Sequence, residues 1–219
     1  MMIDLIHKIK AWVQNSDEKL IIGISGHGAA GKTTFAQLLM KALESDVNFL
    51  NTDPYIVDSA IRKYADIDFT YNEIPYRSKM TACHPAAHNI SSLERDICML
   101  KNDMDLLTID THYSPSEILS SQNKLTIVEG MCVAFTNPKL FDLLIYFYTD
   151  GETEFKRRSV RDVKERGMDM EYLKQSHDDR RMQYEIFMHP YSQNFDIIIK
   201  STQPMPMIIE KNTFDFKAK

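Results

Sequence analysis

One stretch limits what this chain can fold into more than any other. Leu20-Ile21-Ile22-Gly23-Ile24-Ser25 is an unbroken apolar run that leads into Gly26-His27-Gly28-Ala29-Ala30-Gly31-Lys32-Thr33. A helical pattern follows, with Phe35, Leu38, Leu39 and Leu43 on one face. An apolar run of this kind is what a strand buried on both faces of a parallel sheet requires. The residues after it fit G-x-x-x-x-G-K-[ST], in the strand-before, helix-after context that gives the pattern meaning. Glycines let successive backbone N–H groups turn toward phosphate oxygens, and the helix N-terminus adds its dipole. Lys32 offers a mobile charge to the β- and γ-phosphates, and the Thr33 hydroxyl is a ligand for magnesium. Residue frequencies yield the bare pattern in roughly one chain in a hundred of this length. The competing reading is a glycine turn that only caps a helix. The expected nucleotide contacts are Gly26, His27, Gly28, Ala29, Ala30, Gly31, Lys32, Thr33 and Thr34.

Beyond this point the chain keeps alternating between strand and helix patterns. Val47-Asn48-Phe49-Leu50, Leu125-Thr126-Ile127-Val128, Leu143 to Tyr148 and Phe195 to Ile199 read as further strands, with helices near 91–101, 153–165 and 169–187. Such alternation implies a P-loop α/β fold of three layers, α/β/α, around a mostly parallel central sheet. The 219 residues fit one domain, 1–219. Met2, Ile6, Ile9 and Val13 make a helical stripe, so residues 1–15 are expected to form an amphipathic helix packed on the domain. From about 68 to 83, aromatic residues alternate with polar ones around Asn72-Glu73, which reads as a small inserted β-hairpin. Ser91 or Ser92 is the expected N-cap of the next helix, with Glu94 completing a capping box.

Ligands in such sheets sit at the carboxyl ends of strands. Leu125 to Val128 ends in Glu129-Gly130, which fits a carboxylate near the metal; the alternative is a glutamate that merely ends a buried strand. Asp53 ends the second strand, expected beside the phosphate-loop strand, and could accept a proton from an attacking hydroxyl. Asp53-Pro54 as a simple turn starter is the rival. Around 152–168 a charged helix reads as a lid. Its Glu154/Arg158 and Asp162/Arg166 spacings allow i,i+4 ion pairs. Arg157 and Arg161 are also four apart, and Arg157 has no carboxylate at either flanking turn. That arrangement suits a polyanion arriving between the arms, and a solvated charged face remains the alternative.

Bulk properties remove several classes. The net charge of −5 argues against a non-specific nucleic-acid binder. No segment approaches the roughly 18 apolar residues of a membrane span. Three cysteines, Cys83, Cys98 and Cys132, read as reduced thiols of a cytoplasmic protein. Cys83, His84 and His88 lack a fourth ligand, and Pro85 interrupts them, so a loop is expected there rather than zinc.

Taken together these residues resemble the uridine kinase and phosphoribulokinase family of P-loop kinases. The resemblance rests on Gly23-Ile24-Ser25-Gly26 entering the loop, Thr52-Asp53-Pro54-Tyr55, His84-Pro85, Ile127-Val128-Glu129-Gly130, and the run Arg157 to Gly167. It extends over about 20–200 and includes Phe195-Asp196-Ile197-Ile198-Ile199 as a closing strand. It implies Asp53 as catalytic base, Lys32 and the lid arginines Arg157 and Arg161 on the phosphates, and Thr33 and Glu129 at magnesium. The acceptor side departs from the family. Uridine kinases carry an Asp-x-Phe-Tyr type element, whereas Asp53-Pro54-Tyr55-Ile56 is nearer the Thr-Asp-Gly-Phe of the related pantothenate kinases. Thr108 to Tyr113 lacks the proline and tyrosine of the pyrimidine-pocket segment.

The expected activity is a kinase that uses ATP and Mg2+ to phosphorylate a hydroxyl of a small metabolite, a nucleoside or similar compound. A pantothenate-kinase-like acceptor is the alternative. Tyr55, Arg77, His84, His112 and Arg166 are candidate acceptor contacts, each with an ordinary surface or packing role as the competing reading. The expected partner is the small-molecule acceptor, with neither nucleic acid nor membrane, and a homo-oligomer is one of the states left open. A regulatory GTPase would show Asn-Lys-x-Asp, but Asn123-Lys124-Leu125-Thr126 ends wrongly. A nucleotide-binding module without transfer activity is the third reading.

Overall fold

A computed structural model describes residues 2–43, 46–165, 167, 169–202 and 207–217. In chain order its first half contains α1 (Met2–Asn15), β1 (Leu20–Gly26), α2 (Lys32–Leu43), β2 (Val47–Asn51), α3 (Ser59–Arg62), β3 (Asp66–Tyr71), β4 (Ile74–Lys79) and α4 (Ile90–Lys101). The second half contains β5 (Leu106–Leu107), β6 (Ile118–Leu119), β7 (Leu125–Glu129), β8 (Leu143–Tyr148), α5 (Gly151–Arg158), α6 (Met170–Gln183), β9 (Ile197–Ser201) and β10 (Met207–Asn212).

Six strands form one sheet in the order β2-β7-β1-β8-β9-β10. All neighbours are parallel except β10, which runs antiparallel to β9. Alternate side chains of β1 feed opposite faces. Leu20, Ile22 and Ile24 join α1 and α2 in one core, while Ile21 joins α4 and Met131–Phe135 in the other. That is the three-layer P-loop arrangement. Every residue of β1 and β7 is buried, which explains the unbroken apolar run of β1 and the largely apolar one of β7. Leu5, Ile6, Ile9, Trp12 and Val13 form the buried stripe of α1, and Trp12 meets the Phe214 ring edge-on at 5.0 Å. β3 and β4 pair as a separate antiparallel hairpin, turning through Asn72 and Glu73, both at positive φ. Among the described residues, no helix is long and apolar enough to cross a membrane.

Three expectations are corrected. β2 does not neighbour β1; β7 lies between them, so β2 is an edge strand of this sheet. A βαβ crossover can skip a position, and local sequence pattern does not record how far it travels. The N-cap of α4 is Asn89, which makes no side-chain capping bond, so Ser91 and Ser92 lie inside the helix. Glu94 instead accepts a hydrogen bond from the Asn137 N–H at 2.7 Å. Finally β10, which the sequence reading did not distinguish, closes the sheet and buries Met207 in the first core.

Gly130, at the end of β7, has φ +145°, and a Cβ there would land on the Thr52 hydroxyl. Gly130→Ala therefore combines a backbone strain with a clash in a fully buried place. It is expected to destabilise the fold by about 3 kcal/mol, read as a lowered urea midpoint at unchanged slope.

Candidate active site

The phosphate loop leaves β1 at Gly26, where the chain must pass so close to β8 that a Cβ would overlap the Phe147 carbonyl. Ala29 holds a left-handed conformation at φ 62° near the crest of the loop. The loop then enters α2, whose first turn carries Lys32, Thr33 and Thr34. Lys32 is buried; its Nζ donates to the His27 carbonyl at 3.0 Å and lies 3.9 Å from Glu129. The Thr33 hydroxyl donates to the Glu129 carboxylate at 3.1 Å. Burial pushes the Glu129 carboxyl above its usual range, with the nearby Lys32 charge and the Thr33 hydrogen bond pulling the other way. Ser25 fastens the two strand ends together, its hydroxyl donating to the Gly130 carbonyl at 3.0 Å.

The His27 side chain points into the protein rather than at the loop mouth and is fully buried. Thr149 N–H donates to its Nε2 at 2.9 Å, which leaves Nδ1 to carry the proton and donate to the Gly28 carbonyl at 2.8 Å. Its ring meets Tyr184 edge-on at 4.5 Å. Only the backbone of His27 is therefore available to a phosphate. Nδ1 also lies 3.5 Å from Glu154, which is 2% exposed. Burial raises the Glu154 carboxyl, but the approach of His27 and the charges of Arg180 and Arg158 outweigh it and hold it at about 2.

The lid residues are arranged differently from the expected helix. α5 starts at an Asp150 cap, whose carboxylate accepts from Thr153 N–H at 2.8 Å, and after Arg158 it opens into wide i→i+5 turns over Ser159–Glu165. Arg157 reaches the loop, donating to the Ala29 carbonyl at 3.2 Å and the Ser201 hydroxyl at 2.8 Å. Arg161 donates to Asp162 at 2.8 Å instead of sharing an anion site with Arg157 in this state. Arg158 pairs forward with Asp162 at 3.1 Å rather than back with Glu154, because Glu154 is turned toward His27. Arg166 lies outside the described residues.

On the acceptor side, Asp53 follows Thr52 at the end of β2. Asn51 is in register with Glu129, and Thr52 N–H donates to the Glu129 carbonyl at 2.8 Å. The Asp53 carboxylate is exposed at the head of a short 3-10 turn, and its charge acts on Glu129 and His88. Tyr55 is 1% exposed, with its hydroxyl donating to Asp96 at 2.6 Å, so it is a core residue and not a stacking platform. Tyr55→Phe is expected to leave turnover unchanged while lowering stability by about 1–3 kcal/mol, since it strands a buried carboxylate oxygen. Paired kinetics and urea melts test this.

Arg77 sits on the exposed hairpin between Asp66 and Asp68, each at 3.6 Å, which explains it as a cross-strand charge pair. His112 is exposed in the loop between β5 and β6, stacked edge-on with Tyr113 at 4.8 Å. His84 caps the Pro85 turn, its Nδ1 accepting from Ala86 N–H at 3.2 Å, and packs on Phe187 at 4.6 Å. His88 is buried, with Nε2 donating to the Ala82 carbonyl at 2.8 Å, and burial pushes it down to about 4. Among the described residues no group of His, Cys, Asp and Glu could hold a metal by itself, and the three cysteines are free thiols. The sequence reading missed Arg180 and Arg181. Both sit in a helix of mixed charge whose pattern points to solvent, and only its packing against α5 shows their use.

The donor groups fit a nucleoside triphosphate with magnesium. Backbone N–H groups of a glycine loop, a buried lysine and an arginine converge on one mouth. A hydroxyl and a carboxylate 3.1 Å apart beside it are a hard-oxygen pair of the kind magnesium takes.

Relatives agree with this geometry. The profile of the Phosphoribulokinase / Uridine kinase family matches residues 21–206. A uridine kinase from Shewanella frigidimarina is 30% identical over 198 residues, covering 84% of this chain and 89% of that one. In fold, the chain is similar to phosphoribulokinase from Rhodobacter spheroides, with a TM-score of 0.58 at 18% identity, covering 91% of this chain and 77% of that one. It is also similar to D-glycerate 3-kinase from Cryptococcus neoformans, with a TM-score of 0.55 at 10% identity, covering 94% and 99%. The chain belongs to the phosphoribulokinase and uridine kinase family, and is an ATP-dependent kinase of a small metabolite that works with magnesium.

Proposed function

We propose that the acceptor is a nucleoside or a similar hydroxyl-bearing metabolite and that Asp53 takes the proton from its hydroxyl. The observation that supports this is the register at the sheet end. Asn51 is paired with Glu129, and the chain turns out of β2 through Thr52 so that a solvent-facing carboxylate follows the strand next to the buried one. Two carboxylates in contrasting surroundings suit two tasks. Glu129, buried against Lys32 and Thr33, suits the metal, and exposed Asp53 suits proton transfer.

ATP supplies the transferable phosphoryl group, and magnesium held by Thr33 and Glu129 would neutralise charge on its oxygens. Lys32 bears on the β- and γ-phosphates, and Arg157 holds the loop crest through Ala29. As the acceptor oxygen bonds to phosphorus, its proton passes to an Asp53 oxygen, and the bond to the leaving diphosphate breaks. Closure of α5 and the wide turns that follow it over the site would keep water out of the transfer.

An ADP-release screen over nucleosides, pantothenate, nicotinamide riboside and simple sugars tests the reading. Stimulation by nucleosides above the other acceptors supports it. Stimulation by pantothenate or a sugar alone overturns the acceptor class, and tight ATP binding with no stimulated turnover favours a binding module.

A further inference from the structure

Arg180 lies outside the lid run, on α6, yet its guanidinium spans the two rims of the phosphate site. Nη2 is 3.3 Å from where a Cβ on Gly28 would stand, at the crest of the loop. The same nitrogen is 4.0 Å from the Met131 sulfur, two residues beyond Glu129. Its side chain is 23% exposed, and its Nε is buried with no hydrogen-bond partner among the described residues.

Its neighbours show what Arg180 lacks. Three guanidinium groups surround Glu154. Arg158 is held by Asp162 at 3.1 Å, and Arg181 by the Thr149 carbonyl and Glu185, each at 2.9 Å. Arg180 has Glu154 at 4.0 Å, beyond hydrogen-bond reach, and that carboxylate is already approached by His27 at 3.5 Å and Arg181 at 3.6 Å. A mostly buried guanidinium without a close acceptor is costly unless an anion completes it. Facing Gly28, the anion within reach is one bound on the phosphate loop, and the planar fork of arginine matches phosphoryl oxygens.

We propose that Arg180 is a catalytic residue that contacts the transferring phosphoryl group and stabilises its charge, the Glu154 carboxylate 4.0 Å away orienting the guanidinium by charge alone. The proposal rests on the kinase reading of this site. Unlike Lys32, which the fold ties into the loop itself, Arg180 makes its strongest contact only during transfer.

The test compares binding of Mg·ADP with that of Mg·ADP plus aluminium fluoride, a mimic of the phosphoryl group in flight, by calorimetry. The proteins are the wild type, Arg180→Ala and Arg180→Lys, each checked by thermal melting. The wild type is expected to bind the fluoride complex more tightly than ADP. Arg180→Ala should lose roughly 100-fold of that gain with ADP affinity within about threefold, and Arg180→Lys should recover part of it. Full gain in Arg180→Ala overturns the proposal alone. Equal losses of ADP and fluoride-complex affinity assign Arg180 to the loop's structure and also overturn it. A wild type that binds ADP but gains nothing from fluoride removes the kinase reading, and the proposal with it.

Discussion

Lys32→Ala is expected to lower both ATP affinity and turnover, the affinity by about 10- to 100-fold, the range of a lost charge-assisted hydrogen bond. The loss in kcat should be larger, because charge on the bridging and terminal oxygens grows as the phosphoryl group leaves. The structure adds a second consequence. Lys32 donates to the His27 carbonyl at 3.0 Å and faces Glu129 at 3.9 Å. Without it the Glu129 carboxyl, already raised by burial, loses the charge that holds it down and moves higher. The variant should therefore bind magnesium less well at the lower of two pH values than at the higher, since a protonated carboxyl is a poor ligand. Titrating Mg·ATP at the two pH values reads both effects. Normal ATP affinity and normal turnover together would contradict the phosphate site itself.

The second large effect is confined to turnover. In Asp53→Asn the shape is kept and the proton acceptor is lost, so kcat should fall by about 10²- to 10⁴-fold, the usual span of general base catalysis. ATP affinity should stay within about threefold, because Asp53 is exposed and bonded through its own N–H to Asn51 at 3.0 Å, away from the loop. Its melting temperature should barely move. Steady-state kinetics with a productive acceptor, alongside ATP binding, separates the two quantities, and unchanged turnover would remove Asp53 as the base.

What could be read from the amino-acid order was whatever local periodicity carries. β1, the loop and α2 are legible because a buried strand, a glycine turn and an amphipathic helix each leave a pattern within a dozen residues. The nearness of Thr33 to Glu129 follows from knowing that both end or begin elements at the same sheet edge. The crossover that places β7 between β1 and β2 has no local signature. The burial of Tyr55 was equally hidden, because it depends on Asp96, which lies 41 residues along the chain. Glu154 misled for a related reason. Four-residue spacing predicts Arg158 as its partner, but a helix surface packed on the phosphate loop offers His27 first, and the wide turns after Arg158 send that arginine to Asp162. Arg180 escaped notice because a charge beside Asp178 and Asp179 reads as solvated surface.

The position of β7 also bears on how the molecule comes into being. β1 and β2 are made early, yet neither hydrogen-bonds to the other; each waits for Leu125–Glu129 to insert between them, and β1 waits further for Leu143–Tyr148 on its other side. More than half of the chain must leave the ribosome before either of these strands finds a sheet partner. Pairings this distant are slow to form, and until they do those strands present open edges to other molecules. The phosphate loop, encoded within the first 33 residues, acquires its shape only when β8 arrives to fix Gly26 against Phe147. The earliest translated part of the site is thus among the last to become functional.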